Sequence, residues 1–318
     1  MVTALFIAYS SVGIVLAAVL AIVAAWRYFD ARTAAKRESA LARRYMYLVT
    51  QRMVAEDGAP MSRFPMCERR GAKSIIARTL AAVSSSAYGD NYAVLRRITV
   101  ANGVESWLLR RIGLSRGYVR ARYIAMLAAL PVSPSAAAFV SRYGGSRNRH
   151  IRFGAMMVRV VSDPSSAVRV LSAYPYVFTA FETAEIMAVL RRGLLPLAYD
   201  PLLTSKSRNL KMLGINIVRM FGIADAERRL VDIVSSDASG ELGREAVCTL
   251  GALHLPVMRR EIVERVGRMS AGERRSLCRR LVPEGYSCSA LAHLAAAEDR
   301  HYVETLVASY KRRLVCCR

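Results

Sequence analysis

Ile151-Arg152-Phe153-Gly154-Ala155-Met156-Met157-Val158 carries the spacing on which the fold turns. Ile151, Ala155 and Val158 lie four and three residues apart, which places them on one stripe of an α-helix. An apolar residue followed by a basic one opens similar segments at Val119-Arg120 and Leu210-Lys211, and one residue out of phase at Leu242-Gly243-Arg244. The stripes continue as Val119, Tyr123, Met126 and Leu130; Leu210, Gly214, Ile217 and Phe221; and Leu242, Ala246, Leu250 and Leu253. Positions 119 and 151 are 32 residues apart, as are 210 and 242, and the 59 residues from 151 to 210 leave room for one more copy. Phe181, Ala184, Met187 and Leu190 fill that gap, with Glu182 where the basic residue would stand.

Shorter amphipathic pieces lie between these segments, at 135–143, 165–174, 226–234 and 259–269. Each reads as the first helix of a pair. Asp163-Pro164 starts one, Gly144-Gly145 ends another, and Pro131, Pro201 and Pro256 fall between periodic segments, as turn chemistry requires. A helix pair of about 30 residues cannot hide its own apolar face, so neighbouring pairs must stack. Ala155, Gly214 and Ala246 occupy similar places in their helices, where a small side chain lets a partner approach. The expected fold is all-α, a stack of helical hairpins over 87–318.

These openings resemble the HEAT repeat family, whose second helix begins with an apolar residue and Arg and runs to a small residue. Ile151-Arg152 to Ala155 fits best. Leu210-Lys211 to Gly214 and the shifted Leu242 to Ala246 are looser, and Val119-Arg120 has Tyr123 at the small position. The resemblance covers about 87–315 and leaves armadillo-like and other α-α superhelices open. It implies a solenoid that acts as an interaction scaffold. It also implies that Arg120, Arg152, Lys211 and Arg244 form a ladder bonding turn carboxylates and carbonyls between repeats, with a ligand-binding stripe as the competing reading.

From Ala4 to Trp26 there are 23 residues with no acidic or basic side chain. As a helix this stretch would cover a hydrocarbon core of about 30 Å. The expectation is a retained transmembrane anchor over 1–26. The competing reading, a cleaved signal peptide, suits neither the absence of Lys and Arg before Phe6 nor the length of the apolar run. Arg27, Arg32, Lys36, Arg37, Arg43 and Arg44 follow the span, so the body is expected on the cytoplasmic side of an inner membrane, with the N-terminus outside. Trp26, Tyr28 and Phe29 fit an interfacial aromatic belt. In 27–86, Leu41, Tyr45, Leu48, Val49 and Met53 form one helical stripe, Asp57-Gly58-Ala59-Pro60 and Phe64-Pro65 break it, and Ile76, Leu80 and Val83 mark the next helix. This region is expected to be a stalk or, more in keeping with an open stack, its N-terminal cap.

The formal charge is +23, with 42 Arg and 5 Lys. Two readings stand: attraction to phosphate-bearing partners, or codon drift at surface positions. The six cysteines, Cys67, Cys248, Cys278, Cys288, Cys316 and Cys317, make no C-x-x-C pair and read as reduced, mostly buried thiols. His150, His254, His293 and His301 make no metal-ligand spacing. Gly71-Ala72-Lys73-Ser74 lacks the leading glycine of a phosphate loop and reads as a helix start. Catalytic, cofactor and metal sites are therefore not expected, and the chain reads as a scaffold rather than an enzyme.

The expected partner is a membrane-associated protein. Membrane-anchored proteins of the resembled family suggest envelope or polysaccharide-synthesis machinery, such as a glycosyltransferase. Anionic lipid headgroups and, more weakly, nucleic acid are the alternatives that the charge suggests. HEAT-like base glycosylases use a cleft of aromatic residues with a carboxylate, and a chain whose tryptophans are Trp26 and Trp107 does not match them.

Overall fold

The computed structural model describes residues 2–54, 62–69, 71–87, 91–191, 198–236, 240–294 and 296–316; the side chains of 2–18, 25, 29–31, 34 and 314–316 lie outside the description. The described residues form α-helices and short 3-10 turns, with no strand among them. They divide into two compact units, Met1–Val158 and Arg159–Arg318.

The first unit contains α1 (Val2–Val54), α2 (Ala72–Ser84), α3 (Asn91–Ala101), α4 (Val104–Leu114), α5 (Gly117–Ala128), α6 (Pro134–Ser141) and the first part of α7 (Arg149–Ser162). The anchor and the helix after it were expected as separate pieces, but α1 is continuous. The sequence explains this, since neither Gly nor Pro occurs between Gly13 and Gly58 to interrupt the hydrogen-bond ladder. Among the described residues no helix is long and apolar enough to cross a membrane. The expected span at 4–26 lies largely among the residues whose side chains are outside the description. The break at 57–60 also falls outside it.

The C-terminal part of α1 packs on α2 and α3. Tyr45 and Val49 are fully buried. The Tyr45 ring stacks on Phe64 at 5.7 Å, and its hydroxyl donates to the Pro65 carbonyl at 3.3 Å. α2 begins at Gly71, whose φ of 86° suits a residue without a Cβ, and it buries Ile76 and Leu80 completely. Farther along, Gly154 of α7 lies where a Cβ would come within 2.8 Å of Ile124 on α5. The small residue that permits this approach is therefore Gly154, beside the expected Ala155.

The second unit is a two-layer stack of helical hairpins, α10 (Tyr199–Leu203) with α11 (Arg208–Phe221), α12 (Glu227–Ser236) with α13 (Glu241–Ala252), α14 (Arg260–Gly267) with α15 (Ala271–Leu281), and α16 (Cys288–Leu294) with α17 (Arg300–Cys316), preceded by α8 (Ala167–Ser172) and α9 (Ala180–Arg191), each of which packs on α11. In one layer α10 packs on α12, α12 on α14 and α14 on α16; in the other α9 packs on α11, α11 on α13, α13 on α15 and α15 on α17. This translational order is consistent with an α-solenoid. The core runs continuously through Leu230, Ile233, Val234, Val247, Leu250, Leu277, Leu281 and Leu291, each almost fully buried. Burying each such side chain contributes roughly 1.5–3 kcal/mol. Close approach recurs where a Cβ on Gly214 would meet Leu203 at 2.9 Å and one on Gly251 would meet Leu281 at 2.3 Å.

Two of the expected stripes enter the core only in part: Leu130 of the first and Met187 and Leu190 of the second are buried, and their earlier members are not. α5 buries Ala121, Ile124 and Leu127, leaving Val119 half-exposed at 50% and Tyr123 and Met126 only partly covered. α9 buries Glu182, Thr183, Ile186 and Met187, and leaves Phe181 63% exposed and Ala184 on the surface. In both helices a neighbouring stripe of equal period packs better, and the spacing alone does not separate the two.

Candidate functional site

Arg120, Arg152, Lys211 and Arg244 are each the fourth residue of their helix, in α5, α7, α11 and α13. Arg120 donates from Nε to the Ile112 carbonyl at 3.1 Å, and Arg152 from Nη1 to the carbonyls of Ser146 at 2.7 Å and Arg147 at 2.9 Å. Each turns back onto the end of the preceding turn, where carbonyls lack helical partners. Arg244 instead faces Glu273 in the next hairpin, at 3.6 Å, and Lys211 lies partly covered on α11.

A fifth residue belongs to the series. Arg274 is the fourth residue of α15 and is buried. It donates to the Met269 carbonyl, to Asp299 at 2.8 Å and to Glu298. Sequence reasoning missed it because its helix opens Ala271-Gly272-Glu273, with no apolar residue before the arginine. The 30-residue step from Arg244 was the available signal.

Ion pairs spanning one hairpin are the rule in the second unit. Arg219 of α11 and Arg280 of α15 converge on Glu245 of α13, with Arg219 at 3.0 Å and Arg280 Nη2 at 2.8 Å. Arg208 pairs with Glu241, Arg229 with Asp200 and Arg259 with Glu227. Burial pushes the Glu245 carboxyl up, but the Arg280 and Arg219 guanidiniums outweigh it and hold the group below the usual carboxylate range. Asp299 is likewise opposed by burial and held low by Arg274 and Arg275. Cys248 and Cys278 are buried thiols pushed up to about 11, chiefly by desolvation, so their nucleophilic thiolates are suppressed. Among the described residues no group of His, Cys, Asp and Glu could hold a metal ion.

Two surfaces stand apart from this internal bonding. In the second unit, the segment before α9 and the first turn of that helix present Tyr176 at 45%, Val177 at 49% and Phe181 at 63% exposure. It is held firmly from beneath. Asn209, itself buried, donates to the Tyr176 carbonyl at 2.8 Å and accepts from the Phe178 backbone N–H at 3.2 Å. Tyr174 stacks on Phe178 at 5.2 Å. Thr179 and Glu182 cap α9 reciprocally, at 2.8 and 3.2 Å.

In the first unit, residues 91–158 hold eleven Arg and one carboxylate, Glu105. Glu105 is occupied at the start of α4, where it accepts from the Ser133 backbone N–H at 2.9 Å and the Ser133 hydroxyl at 2.6 Å. At the other end of α4, Arg110, Arg111, Arg116 and Arg122 are exposed, and none of them joins an ion pair among the described residues. Among them in the sequence stand Leu114 at 74%, Tyr118 at 78% and Val119 at 50% exposure. Aromatic rings are interleaved with the guanidiniums: Arg111 lies over Trp107, Trp107 meets Tyr123 edge-on at 5.7 Å, and Arg120 lies 4.7 Å from the Tyr143 ring centroid. Arg142 lies 3.7 Å from that of Phe139. Such stacking leaves a guanidinium's edge donors free for anions.

Side chains at the membrane-interface positions are described for Trp26, Arg27, Arg32, Lys36 and Arg37, all of them exposed on α1. No protein-family model, curated protein or solved structure matches the chain.

Proposed function

We propose that this protein is a membrane-tethered, non-enzymatic scaffold whose HEAT-like hairpins hold a protein partner. The observation that carries this reading is the Tyr176, Val177 and Phe181 surface. Exposed aromatic and apolar side chains on a segment fixed by buried Asn209 are already ordered before a partner arrives, which lowers the entropy cost of binding. A stack cross-tied by ion pairs one hairpin apart supplies a stiff platform for it.

The tether is α1. Its apolar stretch at 4–26 has the composition of a bilayer span, and the described part of that stretch is exposed at Val19, Leu20, Ile22 and Trp26. The arginines after it favour a cytoplasmic body at an inner membrane. The resemblance to membrane-anchored repeat proteins extends the reading to an envelope or polysaccharide-synthesis complex, with a glycosyltransferase as one partner. Tethering raises the local concentration of the scaffold around such proteins.

The test is a photoreactive residue at Phe181 in the full chain, expressed in membranes. The expected result is retention in the pellet after alkaline extraction and a discrete adduct with another protein that disappears on Tyr176→Ala. Release into the supernatant would remove the tether, and persistence of the adduct in the Tyr176→Ala chain would remove this surface.

A further inference from the structure

The arginine-rich end of the first unit lies at the end from which α1 emerges. α1 and α2 are antiparallel: Arg52 of α1 meets Ser62 and Phe64 ahead of α2, whereas Glu38, earlier in α1, pairs with Arg78 farther along α2. The α3–α4 turn sits at the far end, because Asn102 accepts from the Phe64 backbone N–H at 2.8 Å and Gly103 lies against Lys73 at the start of α2. From there α4 rises about 16 Å toward the emerging end, where it delivers Leu114. α5 starts at that end, and α6 returns to it. Phe139 approaches Gly113, and Tyr143 lies under Arg120.

We infer that this end of the first unit docks on an anionic phospholipid bilayer, with the α4–α5 turn in the headgroup layer and the surrounding arginines on lipid phosphates. The inference rests on α1 being the tether. Four features favour a lipid surface. Arg110, Arg111, Arg116 and Arg122 pair with no carboxylate among the described residues, and guanidinium forks match phosphate oxygens. Its apolar members project from a helix-to-helix turn; a bilayer interface accepts such a convex tip, whereas a protein would have to supply a fitted pocket. Tyrosine, which favours the headgroup region, stands at the turn itself as Tyr118 and under Arg120 as Tyr143.

The fourth feature is distance. Along α1, Trp26 lies about 18 Å beyond Glu38. α2 extends about 9 Å past Arg78, the residue paired with Glu38. The remaining gap of about 9 Å is comparable to a headgroup layer of roughly 5–8 Å, together with an extended arginine. Docking would fix the first unit against the bilayer.

The test uses the full chain carrying Trp26→Phe, Trp107→Phe and Tyr118→Trp, reconstituted into vesicles of phosphatidylcholine alone or mixed with phosphatidylglycerol. Phospholipids brominated high on their acyl chains serve as quenchers. The inference expects the Tyr118→Trp reporter to be quenched and blue-shifted in the mixed vesicles only, and to be released by high salt. It also expects a reporter at Ser106→Trp, at the opposite end of α4, to stay unquenched.

Changing Arg110, Arg111, Arg116 and Arg122 together to Gln should lower the docked-to-undocked ratio by about two orders of magnitude or more, at roughly fivefold per basic residue. Equal emission in both vesicle types, with the chain still resistant to alkaline extraction, would overturn docking and leave the tether standing. A chain released by alkali that rebinds mixed vesicles with its reporter quenched would do the reverse. A reporter that responds to polyglutamate or duplex DNA but not to phosphatidylglycerol would overturn the inference in favour of an acidic protein or a nucleic acid.

Discussion

The two units carry almost the same number of basic residues, 23 in Met1–Val158 and 24 in Arg159–Arg318, but 7 and 17 acidic ones. The net charge of +16 on the first therefore reflects missing carboxylates rather than added arginine. In the second unit arginines tie one hairpin to the next. On α4 and α5 of the first they face solvent and aromatic rings. A composition that looks uniform along the chain is thus put to two physical uses, and what decides between them is whether a carboxylate lies one hairpin away.

The comparison breaks most readily at Glu245. Removing it leaves Arg219 and Arg280 facing each other without the charge between them. Glu245→Ala is expected to cost about 3 kcal/mol, the lower end for breaking a buried pair because the site keeps some solvent. Arg122→Ala on the exposed face of α5 should stay within about 0.5 kcal/mol. Equilibrium denaturant unfolding of both variants checks the contrast, and equal losses would show that arginines in the two units do the same work.

Acid should separate the units next. The depressed carboxyls of Glu245, Asp299 and Glu273 lie in the second unit. Their unfolded counterparts titrate near 4. The unfolded chain therefore takes up protons first as the pH falls, and the stability these groups supply is complete above about pH 5 and is lost below it as each native carboxyl protonates. Hydrogen exchange followed from pH 6 toward pH 3 should show protection falling sooner in α13, α15 and α17 than in α4 and α5. The reverse order would contradict the assignment of the ion pairs.

The smallest effect is expected at Arg229 and Asp200, both about half-exposed. A double-mutant cycle to Ala should give a coupling below about 1 kcal/mol that shrinks with added salt. A larger, salt-independent value would mean that the outer pairs stiffen the stack as much as Glu245 does.

Most of the hairpins were legible because helix period and turn chemistry are local. Ser133-Pro134 opens α6 with the Ser133 hydroxyl accepting from the Ala136 N–H, as its residue types require. α11 stops at Gly222, whose φ is 66°. The stripes at 119 and 181 are legible only in their later members, Leu130, Met187 and Leu190, which are buried, because two adjacent stripes of one helix share the same period. The one that enters the core is chosen by the neighbour's shape.

By itself the sequence determined that the chain is helical, that its helices come in pairs of about 30 residues, and where the charged and apolar stretches fall, since each follows from contacts within a turn or two. Only the tertiary structure decided that Glu245 serves two arginines from flanking hairpins, that Val119 and Phe181 face outward, and that the α4–α5 turn lies at the end where α1 emerges. Those outcomes depend on which helices meet and in which direction they run, and residues 25 to 40 positions apart are brought together by packing rather than by spacing.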